Sequence, residues 1–144
     1  MGNVAISVML IVPDAPRAKH WYRRALGAEE LWDLGSVVGL EIAGAPFFLH
    51  GANPDNREET SPADAGVTSA RIELFVDDPE AVLERALLAG ATLGSRVEEH
   101  RAPWGAHRQG GFRDPFGHNW SVGDKTPTIR HEDRRRPRDL DPPS

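Results

Sequence analysis

The sequence predicts an α+β protein of two βαβββ modules forming a curved mixed sheet around a cleft. Three observations carry this. Two strand-like runs, residues 7–14 and 71–78, stand about 64 residues apart and both end on an Asp. Each is followed by an amphipathic helical stretch. Each helix is followed by three short strand candidates, so β-α-β-β-β occurs twice, and a repeat of this size is a statement about architecture.

The helices are predicted over residues 15–26 and 79–89. Asp14 and Asp78 can accept hydrogen bonds from free first-turn amides. Pro79 sits where a missing N–H costs nothing. Gly27 and Gly90 can take the left-handed stop conformation. Apolar residues recur at helical spacing: Ala18, Trp21, Tyr22, Ala25 and Leu26, then Val82, Leu83, Ala86 and Leu87. The strands that follow are expected at residues 30–34, 36–42 and 46–50, then at 92–99, 109–114 and 119–123, with turns at Gly35, Ala43-Gly44 and Asp114-Pro-Phe-Gly117.

The domain is expected over residues 1–125, with module one at about 4–52, a polar linker at 53–66 and module two at about 67–125. The tail, 126–144, carries Arg134, Arg135, Arg136 and Pro142-Pro143 without apolar periodicity and reads as disordered or loosely attached.

Composition narrows the function classes. The net charge is −5, and the tail contributes +1, leaving a net-acidic body. That argues against nucleic acid, which needs a basic footprint. No apolar run approaches the ~20 residues of a spanning helix, and the first residues lack the pattern of a signal peptide. Cysteine is absent, which excludes disulfides and thiolate catalysis and suits a cytoplasmic location.

Two motifs carry a resemblance. Trp21-Tyr-Arg-Arg-Ala-Leu-Gly-Ala28 resembles an (F/W)Y-x-x-x-(L/F)-G helix signature, and Asp114-Pro-Phe-Gly-His-Asn-Trp120 resembles a D-P-(F/D)-G-(N/H) turn. Both belong to the glyoxalase/bleomycin resistance/extradiol dioxygenase (vicinal oxygen chelate) superfamily. Pro103-Trp-Gly105 is common in its branch labelled PhnB-like. The resemblance covers roughly residues 4–125. It implies a fold used by metal-dependent isomerases and lyases, dioxygenases, thiol transferases and antibiotic-binding resistance proteins, so fold does not settle function.

The resemblance also implies a divalent metal held from the first and last strands of each half. Those positions fall on Ser7, Phe48, Arg71 and Ser121. Phe has no donor atom, Arg carries a fixed positive charge, and Ser is a poor ligand without stronger neighbours. The expectation is no metal and no cofactor. This depends on register, because a one-residue slip exchanges the two faces of a strand.

In that register the ligand-facing wall carries Ser7, Met9, Ile11, Phe48, His50, Arg71, Glu73, Phe75, Asn119 and Ser121, with Trp104 and His107 reaching over it from a loop. An apolar cleft with a few placed polar groups suits an organic ligand. His50 and Glu73 are the candidate acid/base groups. Arg71 either grips a ligand anion or pairs with Glu73. His50, Glu73 and His107 are also the candidates for a displaced metal site. Trp21 and Trp120 belong to the core; Trp32 starts an edge strand and points to a subunit interface. Two functions follow: a metal-free protein sequestering an antibiotic or another planar, partly apolar compound, or a glyoxalase-like lyase or isomerase with an unconventional site. A small organic ligand and a second copy in a homodimer are the expected partners.

Overall fold

A computed structural model describes residues 2–130. Met1 and residues 131–144, including His131 and the Arg and Pro clusters of the tail, lie outside the described residues. The order is β1 (Met9–Val12), α1 (Ala15–Leu26), β2 (Glu29–Asp33), β3 (Val37–Ile42), β4 (Ala45–Gly51), α2 (Pro62–Ala65), β5 (Arg71–Phe75), α3 (Pro79–Leu88), β6 (Thr92–Ala102), β7 (Gly105–Arg113) and β8 (Asn119–Gly123). Among the described residues no helix is long and apolar enough to cross a membrane.

The helix ends follow their capping chemistry. The Asp14 carboxylate accepts from the Arg17 amide at 3.1 Å, and that of Asp78 accepts from the Ala81 amide at 3.1 Å. Gly27 closes α1 with φ +67°, in the left-handed region. The buried face of α1 holds Ala15, Ala18, Trp21, Tyr22, Ala25 and Leu26, as the helical spacing requires.

Both βαβββ modules form, and the sheet is built as two four-stranded halves. Their orders are β1-β4-β3-β2 and β5-β8-β7-β6. The outer pairs β1–β4 and β5–β8 are parallel and the others antiparallel. The helix in each module supplies the crossover that a parallel pair needs.

The helix-facing sides of the two sheets share one core. Phe47 of β4 meets Trp120 of β8 at a ring separation of 5.9 Å. Tyr22 touches both rings, at 5.6 and 5.7 Å. Trp21 reaches Phe112 at 6.4 Å and Phe116 at 6.2 Å, and its indole N–H donates to the Ala89 carbonyl behind α3. Mutually tilted and edge-on contacts of this kind contribute beyond the area they bury. Side chains alternate across a strand. The other face of each sheet therefore looks outward, and the two outer faces look away from one another.

Three expectations change in detail. The hairpin of the second sheet is longer than its sequence pattern suggests: β6 runs on to Ala102 and β7 begins at Gly105. His107 thus lies in a strand, not in a loop, while Trp104 sits in the tight turn between the two. The linker holds a short helix, α2, whose Ser61 cap is fully buried and whose Ala63 amide bonds the Phe116 carbonyl at 3.0 Å. The first residues of the tail are tied down as well: Thr126–Thr128 forms a 3₁₀ turn, and the Thr126 amide donates to Asp124 at 3.1 Å.

Candidate functional site

The outer face of the first sheet is an apolar platform. Met9 pairs with Phe48 in register, and Ile11 with His50, which places all four on that face. Trp32 joins them. The ladder between β2 and β3 slips by one residue, so that Glu30 pairs with Leu40 but Trp32 with Gly39. A bulge of this kind turns the following side chains to the opposite face. Trp32 then stacks on Phe48 at 5.9 Å and 28°. Gly39 makes the room: a β-carbon there would lie 2.6 Å from the indole Cε2. On the helix side of the same strand, Glu30 and Asp33 both take hydrogen bonds from Lys19, at 2.9 and 2.6 Å. Trp32 is 39% exposed and Met9 47%.

The outer face of the second sheet is polar. Arg71 pairs in register with Asn119, and Glu73 with Ser121. The Arg71 guanidinium binds its neighbour on the strand, Glu73, at 2.6 Å, so the pairing alternative is the one the structure adopts. The Gln109 side-chain amide donates to the Ser121 hydroxyl, and the Arg113 Nε donates to the Asn119 side chain at 3.4 Å. Arg71, Gln109, Arg113, Asn119 and Ser121 line a groove of about 410 Å³ floored by Gly94, Gly110 and Gly111. Glycine is required on that floor: a β-carbon on Gly110 would come within 2.8 Å of the Ser95 carbonyl oxygen.

Farther along the same face stands His107. Its Nδ1 lies 2.7 Å from Asp124 Oδ1 and 3.1 Å from the Thr126 hydroxyl, and its ring is 6.0 Å from that of Trp104. Burial alone would raise the Asp124 pKa. Hydrogen bonds from the Thr126 hydroxyl, the Arg108 amide, the His107 ring and the Thr126 amide outweigh that and hold the carboxyl well below the usual range.

The expected wall residues are thus divided. Met9, Phe48 and His50 share one outer face; Arg71, Glu73, Phe75, Asn119, Ser121 and His107 share the other. Candidate residues of both modules, Ser7 with Arg71 and Glu73, come together at the junction, where they border an apolar crevice of about 440 Å³ with Phe47, Ile72 and Trp120. There the Ser7 hydroxyl donates to the Pro46 carbonyl at 2.5 Å. His50 turns its Nδ1 to the Gly51 carbonyl at 2.7 Å.

The residues at the four metal positions do not fit a divalent ion. Ser7 is bonded to a carbonyl, Phe48 is stacked, Arg71 is ion-paired and Ser121 accepts from Gln109. His50, Glu73 and His107 are not brought together, and among the described residues no group of three or more His, Cys, Asp or Glu side chains is placed to hold a metal.

Sequence reasoning placed Trp32 on an edge strand at a subunit interface but not on the same face as Phe48, and it missed Asp124. A bulge is invisible to a period-two reading. Asp124 follows the last strand as an ordinary polar residue, and its only signal was its place next to a strand end.

The family model of the Glyoxalase/Bleomycin resistance protein/Dioxygenase superfamily matches residues 5–122. The chain belongs to that superfamily. The match does not single out the branch suggested by Pro103-Trp-Gly105. An uncharacterized Mycobacterium tuberculosis protein, Rv0887c, is 36% identical over 127 residues, covering 83% of this chain and 73% of that one. Among solved structures, TioX from Micromonospora sp. ML1 superposes with a TM-score of 0.64 at 22% identity, covering 85% of this chain and 98% of its own. A glyoxalase-related enzyme from Fulvimarina pelagi gives 0.61 at 18%, covering 83% and 87%. At these identities the two structures speak to the fold.

Proposed function

We propose that this superfamily member is a metal-free binding protein that sequesters a planar, partly apolar organic compound, an antibiotic being the expected class. One observation carries the reading. Where relatives of the metal-dependent kind need a ligand atom, this chain has Phe48, and Trp32 stacks on it to make an aromatic platform on the outer face of a sheet.

The cleft is completed by a second copy. Within one chain the apolar and polar faces point apart, so each needs a wall opposite. A homodimer setting the Trp32–Phe48 face of one copy against the Arg71–Asn119 face of another encloses two equivalent clefts. Exposed Val4, Ile6, Met9, Leu31 and Leu34 supply apolar surface for that contact. The cysteine-free sequence suits work in the cytoplasm.

The test is a screen of planar antibiotics by tryptophan quenching and calorimetry, with sedimentation and elemental analysis of the same preparation. Saturable binding without turnover, weakened by Trp32→Ala, with a dimer and no stoichiometric metal, is expected. Turnover, about one equivalent of metal per chain, or binding indifferent to Trp32 would overturn the reading.

A further inference from the structure

His107 is an outward-facing histidine that is nevertheless covered, with its side chain 10% exposed. It lies two residues before Gln109 on β7, hence on the outer face. Its ring lies over Gly123 of β8: a β-carbon on Gly123 would be 2.7 Å from Cε1 and 2.9 Å from Nε2. Gly123 pairs with Phe75 on one side and Gln109 on the other. The imidazole therefore completes the polar strip that starts at Asn119, with the Trp104 ring 6.0 Å away.

The tautomer follows from the partners of Asp124. Oδ1 accepts from the Thr126 hydroxyl at 2.5 Å and the Thr126 amide at 3.1 Å, and Oδ2 accepts from the Arg108 amide at 3.0 Å. An ionised carboxylate is acceptor-only. The atom 2.7 Å away, His107 Nδ1, is consequently the donor. The Thr126 O–H is already spent on Asp124, so toward His107 that oxygen also acts as an acceptor. With Nδ1 protonated, the neutral ring keeps its lone pair on Nε2. Among the described residues Nε2 meets no hydrogen-bond partner.

We propose that His107 is a ligand-binding acceptor, oriented by Asp124, and that the compound bound on this face presents an acidic O–H, as in a phenol, to His107 Nε2. A buried acceptor left unpaired is costly, and a ligand donor that satisfies it gains what water supplies elsewhere. The inference rests on the reading that the outer faces bind an organic compound, and it adds the functional group that the compound carries. Asp124 is a positioning residue: it fixes which nitrogen accepts.

The experiment uses the full ¹⁵N-labelled chain and two probes, 4-nitrophenol and its methyl ether, 4-nitroanisole. Long-range nitrogen spectra of the free protein should show His107 protonated at Nδ1 and bare at Nε2. Titration with 4-nitrophenol should move the Nε2 resonance, and 4-nitroanisole should bind without moving it. His107→Phe should cost about tenfold in affinity for the phenol and leave the ether unchanged. Asp124→Asn leaves one acceptor oxygen, for Thr126 or for Arg108 but not for both, and an amide donor at the other position; it should mix the two tautomers and weaken the phenol more than the ether. An Nε2–H tautomer in the native chain, phenol binding that leaves the His107 resonances still, or equal loss for both probes overturns the proposal. If the ether binds and the phenol gains nothing, only the role of His107 falls. If neither probe binds, the broader ligand reading falls with it.

Discussion

The hydroxyl of Tyr22, in the helix of module one, donates to Oδ2 of Asp114, in the last turn of module two. That carboxylate is 2% exposed and fully used. Oδ2 also accepts from the Trp120 indole at 2.9 Å, and Oδ1 accepts from the amides of Phe116 and His118 at 2.9 and 3.0 Å. A buried carboxylate persists only when its lone pairs are met. Burial, and then the neighbouring Asp114 charge, push the Tyr22 pKa well above its usual value and keep the hydroxyl a donor. The two family motifs are therefore two halves of one joint. His118 adds a strand-to-turn bond across the same joint, from its Nε2 to the Ile11 carbonyl at 2.8 Å.

Tyr22→Phe keeps the ring contacts and removes only the donor. It is expected to destabilise the protein by about 1–3 kcal/mol, the cost of leaving a buried acceptor short of a partner. Urea unfolding followed by tryptophan fluorescence measures it. An unchanged midpoint would mean that the hydroxyl contributes nothing to the joint.

Gly117 of the same turn has φ +92°, and a β-carbon there would lie 2.4 Å from the Ala63 amide nitrogen of α2. Gly117→Ala meets both a strained backbone and a clash with backbone that has no flexible end to yield. A loss of about 1–3 kcal/mol is expected. A melting temperature equal to that of the parent protein would show that α2 lifts away at no cost, and that the linker is not part of the folded unit.

The sequence made the strand and helix order legible, together with the inward set Trp21, Tyr22 and Trp120, because period and capping are local properties of the chain. The facing of Phe48 and Arg71 was legible for the same reason. Trp32 was not, because one inserted residue at Leu31 reverses its face and only the partner strand records it. His107 was read as a loop residue because residues 105–108 lack apolar alternation, and their pairing with β6 is tertiary. The division of the wall was hidden too. Local pattern fixes which side of a strand is inside; it does not fix whether two sheets join by their edges or pack by their helix faces.

Gly39→Ala probes the aromatic platform without touching the core. The new methyl would stand 2.6 Å from Trp32 Cε2, and because Trp32 is part-exposed its side chain swings aside. Stacking worth about 0.5–1.5 kcal/mol is then lost, which is roughly a two- to tenfold loss in affinity for a planar ligand with little change in stability. Ligand titration beside a thermal melt separates the two effects. A large fall in melting temperature with unchanged affinity would make Trp32 a packing residue only.

Asp124 sets the acid limb of stability. Its carboxyl titrates well below the usual range in the folded chain, through the hydrogen bonds from Thr126, Arg108 and His107. A carboxyl with a depressed folded pKa binds protons more readily when unfolded. Its stabilisation is thus complete above the unfolded value of about 4 and is lost as pH falls below it toward the folded value. Between neutral pH and about pH 5 this group contributes no slope; below about pH 4 stability should fall steadily. Asp124→Asn removes the titrating group and should flatten that part of the acid limb, while also lowering stability at neutral pH, where the charge-assisted bonds are lost. Parallel urea titrations of both proteins across the acid range decide it. Equal slopes below about pH 4 would place the acid sensitivity in other carboxylates and leave Asp124 without the strong hydrogen bonding that holds His107.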